Sequence, residues 1–98
     1  MSIEKTGYVY IAASRKNGTI YVGITSDLIK RMWQHKNKTY GGFTARYGAD
    51  KLVYYEIFNE MRAAISREKR LKFYKRAWKV ALIEKDNPDW TDLYWRII

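Results

Sequence analysis

Five side chains of this 98-residue sequence have the types and spacing for chemistry on an anionic substrate. Tyr10 and Tyr21 stand in two short apolar runs around a turn, within GYVYIAASRKNGTIYVG. A phenol with a pKa of about 10 is a weak base unless a cation or a metal assists it; the plain alternative is a packing role. Arg31 and His35, four positions apart, offer a planar guanidinium fork for phosphate oxygens with an imidazole beside it, or else a solvated helix flank. Glu68 falls four after Ala64 and three after Ile65, where a core leucine is expected. A carboxylate there is costly unless it is paired or binds a metal. Two readings stay open: a salt bridge to Arg67, Lys72 or Arg31, or an oxygen ligand for one Mg²⁺ or Mn²⁺, whose remaining positions go to water and substrate phosphate. No second carboxylate stands at a spacing that suggests a two-metal site. With one histidine and no cysteine, zinc binding and Ser-His or Cys-His catalysis have little material. Asn87, before Pro88, reads as a turn residue.

The elements that hold these residues follow from hydrophobic periodicity. Tyr8 to Ala13 alternates, with Val9, Ile11 and Ala13 on one face and Tyr8, Tyr10 and Ala12 on the other. Thr19 to Ile24 sets Ile20, Val22 and Ile24 against Thr19, Tyr21 and Gly23. Asn17-Gly18 between them is a hairpin-turn pair, since both residues tolerate positive φ. Burying the aliphatic faces together puts Tyr10 and Tyr21 on one shared opposite surface, because strand side chains alternate with a period of two. TSDLIKRMWQHK predicts a helix capped by Thr25 or Ser26, with Leu28, Ile29, Met32 and Trp33 as its apolar arc. NKTYGGFTARYGAD predicts a loop, and KLVYYEIF, 51–58, a third strand. Asn59 is placed to cap a second helix reaching about Lys75, with Met61, Ala64, Ile65 and Leu71 as its stripe. A third helix, RAWKVALIEK, is expected to bury Trp78, Ala81 and Leu82 or Ile83 and to stop before Asn87-Pro88. The tail DWTDLYWRII is expected to wrap the core. The predicted order β-β-α-β-α-α makes a small α/β (α+β) domain, with three mainly antiparallel strands flanked by helices.

Residues 1–98 are read as one domain with a single core. A hydrophobic content of 47% excludes a disordered basic tail. The absence of cysteine excludes a disulfide framework and fits a reducing compartment. MSIEKTG carries Glu4 and no apolar segment, so no signal peptide is expected. No apolar run approaches the roughly 20 residues that cross a bilayer, and the expected location is cytoplasmic, away from membranes. Nineteen basic against ten acidic residues leave a net charge of +9. Such a field attracts polyanions, phosphate backbones foremost, with anionic membrane surfaces as the competing target.

In this order, these residues resemble the GIY-YIG nuclease superfamily. YVY at 8–10 and YVG at 21–23 correspond to the two halves of the family's name, with Tyr10 and Tyr21 as the motif tyrosines. The family's helix arginine falls on Arg31, its following His or Tyr on His35, its metal-binding glutamate on Glu68 in SREKRLKFY, and its late asparagine on Asn87 in NPDW. The match runs from residue 7 to about 93 and looks closest to small stand-alone members. Tyr8 replaces the motif's first glycine, and Ile24 stands where some repair-type members carry a lysine.

The resemblance implies an endonuclease that hydrolyses phosphodiester bonds in DNA, RNA not being excluded, with one Mg²⁺ or Mn²⁺ ion. It further implies a structure-specific, repair-related role. Glu68 would hold the metal and Tyr10 would help deprotonate the attacking water, with Tyr21 orienting both. Arg31 would neutralise transition-state charge, His35 would assist that network, and Asn87 would support it. Specificity is expected from altered DNA structure, a homodimer or a protein partner. The alternative is a non-cleaving nucleic-acid-binding or partner-docking module on the same scaffold.

Overall fold

The computed structural model describes residues 6–38 and 42–98. Most of the N-terminal stretch expected not to be a signal peptide, and the middle of the expected loop at 39–41, lie outside the described residues. Three antiparallel strands, β1 (Gly7–Ala13), β2 (Ile20–Thr25) and β3 (Lys51–Phe58), form one sheet in the order β2-β1-β3. The β1–β2 connection is the expected hairpin. Asn17 takes a left-handed φ of 61°, and Ser14 and Thr19 close the turn through a backbone bond of 3.0 Å. Gly18 is needed for room, not for φ: a Cβ there would lie 2.4 Å from Ser14 Oγ.

The strand period sorts the core into two halves. Val9, Ile11, Ala13, Val22 and Val53 pack with Ala64 and Leu71 of α3 (Met61–Phe73), Ile83 of α4 (Arg76–Asp86), and Trp90. Tyr10, Ala12 and Leu52 pack on the other side with Leu28 and Met32 of α1 (Leu28–Lys36), Ala49, and Tyr94 of α5 (Tyr94–Ile97). A register shift beside Ile11/Ala12, where Tyr54 pairs with Ile11 and Leu52 with Ala12, lets both Val53 and Tyr54 reach the α3 side. The phenol-bearing face is therefore covered as well. Tyr10 is fully buried, where the alternation predicted two phenols on a surface.

The α/β class and the order of the main elements are as predicted, with two short helices added. The expected loop folds in part into α2 (Phe43–Tyr47), and the tail ends in α5. Asp27, not Thr25 or Ser26, caps α1, accepting from Lys30 N at 3.1 Å, while Thr25 Oγ1 accepts from Asp27 N. Glu60 takes the N-cap of α3 in place of Asn59, and the helix ends at Phe73. Ile29, Trp33, Ile65 and Trp78 are exposed, so each helix buries a narrower stripe than the sequence suggested. The reason is the short reach of a three-stranded sheet: Leu28 and Met32, then Ala64 and Leu71, already fill the available width. The tail does wrap the core. Trp90 is buried, and Leu93 N bonds Leu52 O at 2.7 Å along the outer edge of β3.

A polar clamp fixes α3 against β3. Arg67 Nε and Nη2 each donate to Glu56 at 3.0 Å, Tyr54 Oη also donates to Glu56, and Arg67 Nη1 reaches Tyr74 Oη at 3.4 Å. Burial pushes the Glu56 carboxyl up, but bonds from Arg67 and Tyr54 outweigh it and hold its pKa below the ordinary 4.5. Arg67→Ala would strand a half-buried carboxylate and is expected to lower unfolding free energy by about 2 kcal/mol at neutral pH. Because the folded pKa is depressed, this stabilisation is present above pH 4.5 and is lost as pH falls through the folded value. Urea denaturation of both proteins should show the gap closing in acid.

Candidate active site

The hairpin register places the two phenols. Tyr10 pairs with Gly23, and Ala12 with Tyr21, so the tyrosines are diagonal neighbours on one face with ring centroids 6.3 Å apart. The Tyr10 ring lies across Gly23: a Cβ at that position would fall 2.4 Å from Tyr10 Cζ and 2.5 Å from its oxygen. The glycine of YVG is thus the floor on which the phenol rests. Composition gave no hint of this, although the register alone puts a position without a side chain opposite Tyr10.

Helix α1 crosses this face and brings in His35 and Arg31. His35 is buried, and both of its nitrogens are bonded: Nε2 to Tyr10 Oη and Nδ1 to Thr44 Oγ1, each at 2.8 Å. With Tyr10 donating to Nε2, the ring carries its proton on Nδ1 and donates it to Thr44. Thr44 comes from α2 and was missed in the sequence, where it sits in a polar stretch read as loop. Burial lowers the His35 pKa to about 4, the Arg31 charge adding to the effect, so the imidazole is neutral at physiological pH. Burial also raises the Tyr10 phenol to about 12, against the hydrogen bond and charge of Arg31, which pull it down. Tyr21 and Glu68 add to the rise. The resting site therefore holds a protonated phenol and a neutral imidazole.

Tyr10, Tyr21, Arg31 and His35 thus share one cluster, and the charge of Glu68 is felt at Tyr10. Arg31 lies partly exposed at its edge, with Nη1 3.3 Å from Gln34 Oε1. Glu68 pairs with Lys72, 3.4 Å away and one helical turn on; of the other two suggested partners, Arg67 is taken by Glu56 and Arg31 bonds Gln34. An i,i+4 pair of this kind contributes about 0.3–0.5 kcal/mol and gives no reason for a carboxylate whose side chain is only 15% exposed. Among the described residues, no group of three or more His, Asp or Glu side chains comes together. That donor set fits a hard ion that takes one carboxylate plus water and phosphate oxygens, and it does not fit zinc. Asn87 lies apart. It caps α4, and its side chain bonds Val53 O, Thr91 O and Thr91 N at 2.9–3.1 Å, with none of these bonds reaching the tyrosine cluster.

Gly23→Ala must displace the Tyr10 ring, and a loss of about 1–3 kcal/mol of stability is expected from overpacking, read by denaturant titration. A second expectation concerns pH. The folded pKa of His35 lies below the ordinary 6.5, so the unfolded chain binds the proton more readily. Its contribution is complete above about pH 6.5 and is lost progressively as pH falls toward 4. The difference in denaturation midpoint between wild type and His35→Gln should shrink or reverse across that interval.

The family model for the GIY-YIG catalytic domain matches residues 6–81. A UPF0213 protein of Clostridium perfringens is 41% identical over 76 residues, covering 78% of this chain and 81% of that protein. A UPF0213 protein of Staphylococcus saprophyticus is 33% identical over 78 residues, covering 80% and 94%. The solution NMR structure of a UPF0213 protein from Bacillus halodurans superposes with a TM-score of 0.55 at 26% identity, covering 89% of this chain and 92% of that one. A family model that matches most of the chain, with relatives at 41% and 33% identity, shows that the chain belongs to the GIY-YIG catalytic-domain family.

Proposed function

We propose that this protein is a divalent-metal-dependent endonuclease that hydrolyses phosphodiester bonds in DNA inside the cell. The observation that carries the reading is the Tyr10–His35 hydrogen bond of 2.8 Å with the Arg31 charge beside it. Glu68 would hold the metal ion, which supplies charge stabilisation and phosphate polarisation. The remaining chemistry belongs to the side chains. Arg31 seats a non-bridging phosphate oxygen and offsets the negative charge that grows in the transition state. Tyr10 takes a proton from the attacking water as it passes its own to His35 Nε2. A phosphate seated on Arg31 cancels part of the cation that depresses His35, so substrate binding raises the basicity of the imidazole when a proton must be received. Tyr21, at 6.3 Å from Tyr10 and 6.0 Å from His35 between ring centroids, walls the water's position.

Its substrates would be altered DNA structures in a repair-type role, with a homodimer or a protein partner as further sources of selectivity. In tests on plasmid, nicked and branched DNA with Mg²⁺ or Mn²⁺, wild type should cleave. Glu68→Gln, Tyr10→Phe and Arg31→Ala should each lose at least about a hundredfold in rate. Glu68→Gln should change stability by less than about 0.5 kcal/mol in chelator, since it removes only the i,i+4 pair to Lys72. DNA binding that persists in chelator, with no product under any metal, identifies a binding module instead.

A further inference from the structure

The short helix α2 has two working faces. Thr44 points inward to His35, while Phe43 and Tyr47, four apart and so on one side of the helix, point out and remain 45% and 47% exposed. Gly48 closes the helix in the left-handed region, with a φ of 65°. The outward rings are not scattered. Tyr21 of the tyrosine cluster stacks on Phe43, with centroids 5.9 Å apart and planes at 28°, and Phe43 meets Tyr47 at 4.7 Å. The Arg46 guanidinium lies 5.5 Å from the Tyr47 ring centre, and its side chain is exposed. A run of aromatic faces therefore starts inside the candidate active site and leads out to solvent, with a cation at its far end.

A half-exposed aromatic pair on a soluble surface forgoes burial and calls for an occupant. The chain's net charge of +9 and the arginines at both ends of the run, Arg31 and Arg46, favour a polyanion that carries flat rings. Polynucleotides match both properties. Bases within a duplex hide their faces against each other, so an aromatic platform can take only a base that is unpaired or extruded.

We infer that Phe43 and Tyr47, flanked by Arg46, form a stacking subsite for an unpaired base next to the phosphate bound at Arg31. The site would thereby select single-stranded, flap or loop nucleic acid over continuous duplex. This rests on the proposed nuclease reading for the position of the phosphate, but its own readout is binding, which needs neither metal nor turnover.

The test uses the full chain in chelator with a short oligothymidylate carrying one 2-aminopurine, single-stranded or annealed to its complement. Wild type should bind the single strand more tightly and quench 2-aminopurine fluorescence. Phe43→Ala and Tyr47→Ala should each weaken single-strand binding about tenfold and relieve the quenching while duplex affinity holds. Phe43→Tyr should retain both. Arg46→Gln should weaken both forms and flatten the salt dependence. Unaltered melting temperatures would show that these exposed positions are not needed for folding. The inference is overturned if the alanine variants bind single strand as wild type does, if single strand and duplex weaken equally, or if light scattering shows a dimer that Phe43→Ala dissolves. Absence of cleavage with stacking intact would remove only the nuclease reading, and cleavage without selective stacking would remove only this one.

Discussion

A single buried imidazole ties the site together. His35 is bonded through one nitrogen to a strand and through the other to a separate short helix, and neither bond can be replaced by water in its buried position. In the resting site the ring is neutral, and burial together with the Arg31 charge keeps it so. Helix α1 is thereby held over the phenol face at a defined height, α2 is drawn in beside it, and Arg31, one turn before His35, is carried to the rim. Loss of either hydrogen bond would leave an unsatisfied polar atom in the core, so the geometry is strongly specified.

The second constraint is steric. The Tyr10 ring needs the space above Gly23, and the hairpin register provides it by pairing those two positions. The same register sets Tyr21 on the diagonal, close enough for the rings to meet and offset enough that its outer face remains free to stack on Phe43. One hairpin thus organises both the buried and the accessible parts of the aromatic cluster. Glu68 enters from the opposite layer, on α3, which the Glu56–Arg67 pair holds against β3. Arg31 and Glu68 then act on Tyr10 with opposite sign, the cation favouring the phenolate and the carboxylate opposing it. Burial makes the phenol hold its proton, and two charges carried on helices from different sides of the sheet adjust that hold in opposite directions.

What the amino-acid sequence determined by itself is whatever depends on neighbours along the chain. Alternation in Gly7–Ala13 and Ile20–Thr25 named the strands, Asn17 named the turn, and the period of two put Tyr10 and Tyr21 on one face. Glu68 stood out because a charge interrupted an apolar period, and the motif spacing pointed to the family, to Arg31 and to His35. These signals are local, and a strand or helix period is enough to carry them.

Only the tertiary structure decided the rest, because it turns on which elements meet. Nothing in a polar, glycine-containing stretch announces that Thr44 will face inward while Phe43 and Tyr47 face outward. Periodicity likewise did not reveal that α1 and α5 would cover the phenol face and bury Tyr10, nor that the Asn87 side chain would be used up tying β3 to the C-terminal tail. Trp78 and Ala81 stand exposed where burial was expected, and Ile83 is the buried residue of α4, for the same reason. Hydrophobic character says that a side chain favours burial, but the width of the sheet and the helices already packed on it determine which side chains are accommodated.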